Sequence, residues 1–241
     1  MKHNQRQFLH IATLFFLSTI GIALLSWIGN TYEADGVQNL WSAEGLRFLL
    51  RNAVSSYVAT PALGIVIILF MGLGVASYGG MLQTLWNLVT RRKAWSLKER
   101  RALILSLVTL LIYTLLIVAV TFTPWTLLQN VTGTLHDSPF TQGIYYIVSL
   151  GIGAAGSVYG WVSGRLRTDR DVIRGMGSLF IRCYDYFIVL FFIVQFFLCL
   201  NYTNLPLLFG LDTGTMHIVF QLCCYLPLSG MLFRKNDHQI K

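Results

Sequence analysis

The residues of this sequence that are most able to do chemistry are polar side chains inside or beside long apolar runs. Asp185 stands at the start of one such run, and Arg182 precedes it by three residues, on the same face of a helix. An ionisable group within a bilayer costs about 2.5–3.5 kcal/mol unless it is paired or hydrated, so Asp185 is a candidate proton carrier. The alternative, a local ion pair between Asp185 and Arg182, is favoured.

Two further polar residues lie within apolar runs, Gln195 in the same run as Asp185 and His217 in the last run. Gln195 lies deeper in the run, among phenylalanines at positions 191, 192, 196 and 197. It could contact a substrate or donate a hydrogen bond to a neighbouring helix, and the second role is favoured because polar side chains commonly join transmembrane helices. His217 has no partner at a useful spacing, and one local hydrogen bond is expected for it.

Known catalytic and nucleotide-binding motifs are missing from the sequence. It has no GxxxxGK[ST], no HExxH, no convincing nucleophile elbow and no glycine-rich strand–turn–helix fingerprint. We therefore predict no enzyme activity, no ATP-driven pump and no cofactor, so any transport must draw on an ion gradient. The cysteines, at positions 183, 199, 223 and 224, show no CxxC spacing with a histidine, which predicts neither a metal site nor a disulfide but packing between helices.

The composition is typical of a membrane protein. Of the 241 residues, 55% are hydrophobic and only 12% are charged, whereas soluble domains carry about 25% charged residues. The net charge of +8 would suggest nucleic acid as a partner of a soluble protein. Here the basic residues sit in short loops between apolar runs, so we interpret them as a topology signal and predict no nucleic-acid partner.

Six apolar runs are long enough to cross, as helices, the about 30 Å of hydrocarbon in a bilayer. The predicted spans cover residues 8–28, 61–78, 102–122, 144–162, 180–200 and 216–233, and the second helix could continue as far as Val89. The prediction is thus an all-α, polytopic membrane protein of about six transmembrane helices, in one domain covering 1–241. Residues 42–59 show an amphipathic pattern, which predicts an interfacial helix or, alternatively, a re-entrant segment packed against the bundle.

Basic residues set the expected orientation. All of the 18 Lys and Arg except Arg47 and Arg51 fall on the side that the two termini share with the second and fourth loops. Because positive residues concentrate in the cytoplasm, both termini are predicted to be cytoplasmic. The fourth span ends with glycines at four-residue spacing, Gly156, Gly160 and Gly164, before a basic loop. These glycines are predicted to line one helix face and to let a neighbouring helix approach closely.

Several stretches resemble, in colinear order, the p-aminobenzoyl-glutamate transporter (AbgT) family of bacterial inner-membrane proteins. Residues 41–82, WSAEGLRFLLRNAVSSYVATPALGIVIILFMGLGVASYGGML, are similar to the family's segment after its first helix. SLKERRALILSL and HDSPF resemble a mid-chain region, and YGWVSGRLRTDRDVIRGM and FFIVQFFLCLNYTNL resemble two later family motifs. Together these matches touch most of the chain.

The resemblance implies gradient-driven transport of p-aminobenzoyl-glutamate or related folate-like organic anions, coupled to a proton or a sodium ion. It places the protein in the bacterial inner membrane as a multi-pass protein. It assigns the candidate substrate or ion contacts to Gln195, Asn201 and Asn204. Asp185, the candidate protonatable group, departs from the family pattern, which has a proline at that position. The implied partners are the lipid bilayer and either a second copy of the chain, as a homodimer, or a related transporter.

Two departures from the family pattern keep a second hypothesis open. The family's first helical hairpin would fall between Gly80 and Arg91 and its second after Asn204, and nothing in this sequence resembles either. Secondary transporters bind substrate where broken helices expose backbone groups near the bilayer midplane, and the hairpins supply such groups. The alternative is therefore a non-transporting scaffold or regulatory membrane subunit derived from the family.

Overall fold

The computed structural model of the protein describes residues 10–34, 36–90, 96–122, 128–129, 135–136, 138–208, 210 and 212–233. All regular secondary structure in these ranges is helical, which confirms the predicted fold class. The helices are α1 (Ile11–Thr31), α2 (Ala43–Val58), α3 (Pro61–Tyr78), α4 (Met81–Thr90), α5 (Leu97–Phe122), α6 (Pro139–Ser163), α7 (Asp169–Arg182), α8 (Tyr184–Thr203), α9 (Leu205–Leu208) and α10 (Thr213–Phe233).

Several basic residues that carry the orientation argument lie outside the described residues. They are Lys2, Arg6, Arg91, Arg92, Lys93, Arg234, Lys235 and Lys241, and the first two residues of the first predicted span lie outside as well. The cytoplasmic position of both termini therefore stays a prediction.

Five helical stretches in the described ranges are long and apolar enough to cross a bilayer. They are Ile11–Thr31, Ala43–Tyr78, Leu97–Phe122, Pro139–Ser163 and Tyr184–Thr203, and each contains most or all of one predicted span. The sixth predicted span lies within α10, which has 21 residues but does not belong to these five. Pro227 lies inside α10 and removes one backbone donor from that helix.

The structure corrects three helix boundaries. The fifth span was predicted to begin at Phe180, but α7 ends at Arg182 and α8 begins at Tyr184, so Arg182 and Asp185 lie on different helices. The second span does not continue to Val89, because Gly80 adopts a left-handed conformation (φ 83°) between α3 and α4. The segment after the fourth span, expected as a basic loop, contains α7. Asp171, in the first turn of that helix, accepts hydrogen bonds from the backbone N–H of Arg167 and of Thr168, both at 3.0 Å. These hydrogen bonds hold the pKa of the Asp171 carboxyl below its ordinary value.

The chain folds as two compact units, and the boundary between them falls inside α3 and again between α7 and α8. The first unit comprises Met1–Leu63 and Cys183–Lys241, and the second comprises Gly64–Arg182. Each unit has its own helix contacts, and each is described in turn.

In the first unit, α8 is the helix around which the others pack. Leu190 and Ile193 in its middle are fully buried. On one side α1 contributes edge-to-face ring contacts, with Phe15 against Phe196 at 5.4 Å between ring centroids. On another side α2 runs antiparallel to α8, because α2 residues 48 and 57 contact α8 residues 202 and 187 respectively.

The helix predicted over 42–59 forms as α2. Ser42 is its N-cap and accepts a hydrogen bond from the backbone N–H of Gly45 at 3.0 Å. Its contacts with α8 extend from Tyr57, whose hydroxyl donates to the Phe187 carbonyl at 3.1 Å, to Phe48, whose ring stacks on Tyr202 at 4.5 Å. Whether α2 lies in the bilayer plane or re-enters the bilayer stays a prediction.

In the second unit, α3 approaches α6 and α7 through small residues. The hydroxyl of Ser149 donates to the Ile68 carbonyl at 2.5 Å and accepts from the Gly72 N–H at 3.1 Å. In a regular α-helix the carbonyl of residue i accepts a hydrogen bond directly from the N–H of residue i+4. The Ser149 hydroxyl of α6 therefore bridges the Ile68 carbonyl and the Gly72 N–H within α3. On another face Gly74 packs against α7, where a Cβ would lie only 2.6 Å from the Gly175 carbonyl oxygen.

The glycines of α6 divide into two groups. A Cβ on Gly156 would lie 2.7 Å from the Ala76 Cα, and a Cβ on Gly160 would collide with Leu166, so both positions require glycine. Gly164 was predicted to belong to the packing face, and this is wrong, because no atom of another element lies within 4 Å of its Cβ position. It is instead the C-cap of α6, in the left-handed conformation (φ 77°) that glycine adopts most readily.

We predict that Gly156→Ala lowers the melting temperature of the detergent-purified protein. The new methyl group must push α3 away from α6, and overpacking of this kind costs about 1–3 kcal/mol. Gly143→Ala is the matched control, since Gly143 lies in the same helix with open space at its Cβ position. The control should be neutral or stabilising by up to about 1 kcal/mol through helix propensity. Equal melting temperatures for the two variants would contradict the close α3–α6 contact.

Candidate functional site

The carboxyl end of α8 is held by residues that satisfy its last backbone groups. The Thr203 carbonyl accepts a hydrogen bond from the Gln38 N–H at 3.2 Å. Asn204 is the C-cap and adopts a left-handed conformation (φ 56°), which asparagine tolerates better than most residues. Its side-chain amide nitrogen donates to the Gly36 carbonyl at 3.2 Å. This end of α8 is therefore fixed to the connector between α1 and α2.

A cavity of about 320 Å³ opens where α8 ends, in the first unit. It lies between the last turns of α8, the short helix α9 and the first two turns of α10. The residues lining it are Phe197, Asn201, Asn204, Pro206, Leu207, Thr213, Met216, His217 and Phe220. Its volume falls within the range of small-molecule sites, about 300–1,000 Å³.

The cavity combines an aromatic wall with a small set of polar groups. Phe197 and Phe220 meet edge to face at 5.2 Å and form an apolar surface suited to an aromatic ring. Asn201 and His217 contribute an amide and an imidazole, each of which can donate a hydrogen bond to a carboxylate. The arrangement suits a ligand that carries an aromatic ring at one end and an acidic group at the other.

Two other polar residues of the cavity already make hydrogen bonds within the protein. The Thr213 hydroxyl donates to the Asp212 carboxylate at 3.4 Å, and the amide nitrogen of Asn204 is bonded to Gly36. The amide oxygen of Asn204 can still act as an acceptor. Asn201 and His217 are therefore the side chains best placed to donate to a bound anion.

His217, for which the sequence predicts one local hydrogen bond, lies at the cavity. Thr213, His217 and Phe220 follow one another at spacings of four and three residues, so they share one face of α10. This periodicity is the signal that could have identified the α10 contribution in advance.

Gln195 does not reach the cavity. Its side chain is only 8% exposed, and its amide nitrogen donates to the Ala53 carbonyl of α2 at 2.8 Å. This is the bond to a neighbouring helix that was favoured over a substrate contact. Gln195 thus joins α2 to α8 and contributes to the site only by holding α8 in place.

Asp185 also lies away from the cavity. It is in the first turn of α8, where the positive end of the helix dipole favours a carboxylate. Asp185 precedes Asn201 by 16 residues, which corresponds to about 24 Å along the helix. Of the four predicted substrate or ion residues, the structure therefore brings only Asn201 and Asn204 together.

A second, more polar cavity of about 560 Å³ lies on another side of the same helix end. Its lining includes Asn39, Ser42, Glu44 and Tyr202. Asn39 and Ser42 are engaged locally, since Asn39 Oδ1 accepts from the Trp41 N–H at 2.9 Å and Ser42 caps α2. Glu44 contributes a negative charge, so this cavity is poorly suited to an anion. No group of three or more potential metal ligands occurs within the described part of the chain.

We predict that two substitutions of Asn204 distinguish the contribution of its left-handed backbone conformation to stability from that of its side-chain hydrogen bond to Gly36. Asn204→Gly keeps the backbone conformation and loses the bond to Gly36, which costs about 1 kcal/mol. Asn204→Ala also forces alanine into the left-handed region, which adds about 1–2 kcal/mol. Melting temperatures should fall in the order wild type, Asn204→Gly, Asn204→Ala. An alanine variant as stable as the glycine variant would show that Asn204 does not cap the helix in this way.

Comparison with known proteins gives the family and the fold. A model of the AbgT putative transporter family matches residues 7–98 and 90–233, which is nearly the whole chain. The YdaH transporter of Alcanivorax borkumensis, described as having an unusual topology, superposes with a TM-score of 0.73 at 17% identity, over 94% of this chain and 75% of that chain. MtrF of Neisseria gonorrhoeae, described as illuminating a class of antimetabolite efflux pumps, superposes with a TM-score of 0.74 at 14% identity, over 94% of this chain and 81% of that chain.

A comparison with curated proteins found no match. At these low identities the two solved structures show the fold, and the family follows from the extent of the sequence match. The chain is a multi-pass helical membrane protein that belongs to the AbgT transporter family.

Proposed function

We propose that this protein transports an aromatic organic anion, of the p-aminobenzoyl-glutamate or related folate-like kind, across the bacterial inner membrane, driven by a proton or sodium gradient. The substrate would bind in the cavity at the carboxyl end of α8. Family membership supports transport in general, and the chemistry of this cavity supports the class of substrate.

The observation that carries the proposal is the pairing of an aromatic wall with two hydrogen-bond donors. An aryl ring would pack against Phe197 and Phe220, and a substrate carboxylate would accept hydrogen bonds from Asn201 and His217. The amide oxygen of Asn204 would accept from an N–H group of the substrate. Each of these groups matches one part of an aminobenzoyl–amino acid, which has an aromatic ring, amine or amide N–H groups and carboxylates.

The helix ends around the cavity also suit an anion and a coupling cation. Transporters place substrates where interrupted helices direct their termini at the bound groups. Here α8 ends and α10 begins beside the same cavity, so partial charges of opposite sign meet there. The Gly214 N–H at the start of α10 already donates to the Asp212 carboxylate at 3.4 Å. The side-chain donors therefore carry the recognition of the anion.

We predict that the purified full chain in proteoliposomes takes up radiolabelled p-aminobenzoyl-glutamate when a proton or sodium gradient is imposed. Asn201→Ala and His217→Ala each remove one hydrogen bond to a charged group, worth about 1.5–3 kcal/mol. Half-saturation should therefore rise about 10- to 100-fold in each variant. Asn52→Ala is the matched control, because the Asn52 amide bonds only to the Phe48 carbonyl of its own helix, at 2.8 Å.

The same assay distinguishes the proposal from the scaffold hypothesis. Folded protein that shows no uptake under either gradient would support a non-transporting subunit. Uptake that is unchanged in both Asn201→Ala and His217→Ala would show that the protein is a transporter but that the substrate does not bind in this cavity.

A further inference from the structure

A cluster of exposed basic residues lies in the second unit, at the end where α5 begins and α6 ends. Lys98, Arg100 and Arg101 are exposed in the first turns of α5. Arg165, Arg167, Arg170 and Arg174 are exposed in the segment after α6 and in the first turns of α7. These seven residues are called the basic surface below. We propose that the basic surface binds the phosphate headgroups of anionic phospholipids.

The fold brings the two basic segments together although they are more than 60 residues apart in the sequence. Arg165 Nη2 lies 3.8 Å from Glu99 Oε1, which joins the segment after α6 to the start of α5. The guanidinium of Arg165 also occupies the space where a side chain at Gly80 would lie. Gly80 has a φ of 83°, so the turn between α3 and α4 requires glycine on both grounds.

The backbone that carries the arginines is fixed by hydrogen bonds. The N–H groups of Arg165 and Leu166 both donate to the Gly160 carbonyl, at 2.9 and 3.0 Å. Leu166 is only 2% exposed and anchors the segment in the core. The Asp171 carboxylate accepts the N–H groups of Arg167 and Thr168. The arginine side chains therefore project from an ordered segment, and little conformational freedom of the backbone is lost when a phosphate binds.

The charge of the surface is strongly positive. Three acidic residues, Glu99, Asp169 and Asp171, accompany the seven basic ones. Glu99 faces Arg165, and Asp171 is held by two backbone N–H groups and lies 3.8 Å from Arg174. Basic residues near an anionic membrane surface each contribute about 1 kcal/mol to its attraction, so this excess is sufficient to select anionic over zwitterionic lipid.

Exposed apolar side chains beside the charges favour a lipid over a soluble anion. Trp161 in the last turn of α6 is 53% exposed, Ile173 in α7 is 67% exposed and Leu97 at the start of α5 is 75% exposed. Tryptophan is enriched where helices meet the membrane interface, and apolar groups next to basic ones insert among lipid headgroups. A phospholipid offers both a phosphate for the arginines and an acyl chain for these side chains.

The test is native mass spectrometry of the full chain, released from detergent in the presence of phosphatidylglycerol or phosphatidylcholine. Wild type should retain phosphatidylglycerol in preference to phosphatidylcholine. The double variant Arg167→Gln/Arg170→Gln should bind phosphatidylglycerol about 30-fold more weakly, from the loss of two charges near the headgroup. Arg47→Gln/Arg51→Gln on α2 removes the same number of exposed charges and should bind as wild type does.

Three outcomes would overturn the proposal. These are equal retention of the two lipids by wild type, an equal loss in the α2 control, and binding of soluble glycerol phosphate as tight as that of phosphatidylglycerol. The melting temperature of each variant, measured in the same detergent, shows whether a loss of lipid comes from unfolding. The proposal does not depend on the transport activity, so it can fail or hold independently of it.

Discussion

The carboxyl end of α8 is the point on which the structure of the first unit depends. A helix that ends among apolar side chains leaves carbonyl groups without partners, and each must be satisfied by the protein. Here the connector between α1 and α2 supplies the Gln38 N–H to Thr203, and Asn204 turns the chain and binds back to Gly36. The cavity follows from this termination, because the chain must leave α8 through α9 before α10 can begin beside it.

The helices of the second unit are held together in a different way, by the close approach of their backbones at small residues. Without a hydrophobic driving force between helices in lipid, close packing and buried hydrogen bonds must join them. Gly156 against Ala76 and Gly74 against Gly175 provide the packing, and the Ser149 hydroxyl provides the hydrogen bonds by bridging Ile68 and Gly72. The segment after α6 meets the start of α5 through the ion pair between Arg165 and Glu99, which assembles the basic surface.

The transmembrane helices could be predicted from the sequence because a continuous apolar run of about 20 residues has few alternatives in a bilayer. Helix α7 could not, since its charged residues lower its hydropathy and only Asp169 and Asp171 mark its start. The partner of Gln195 was beyond prediction for another reason. It is a backbone carbonyl on α2, 142 residues away in the sequence. Every residue has a backbone carbonyl, so the residue type does not indicate which one accepts the hydrogen bond. Asn204 was selected by family resemblance, whereas its left-handed conformation is a property of the folded chain.

The central claim is that an aromatic anion binds where α8 ends and α10 begins. It is tested most directly by photolabelling the purified chain with an aryl azide analogue of p-aminobenzoyl-glutamate and mapping the modified peptide by mass spectrometry. The account predicts labelling within residues 197–220, around Phe197, Met216 and Phe220, and protection of these residues by unlabelled p-aminobenzoyl-glutamate. Labelling that is confined to other parts of the chain, or that excess p-aminobenzoyl-glutamate does not reduce, would contradict it.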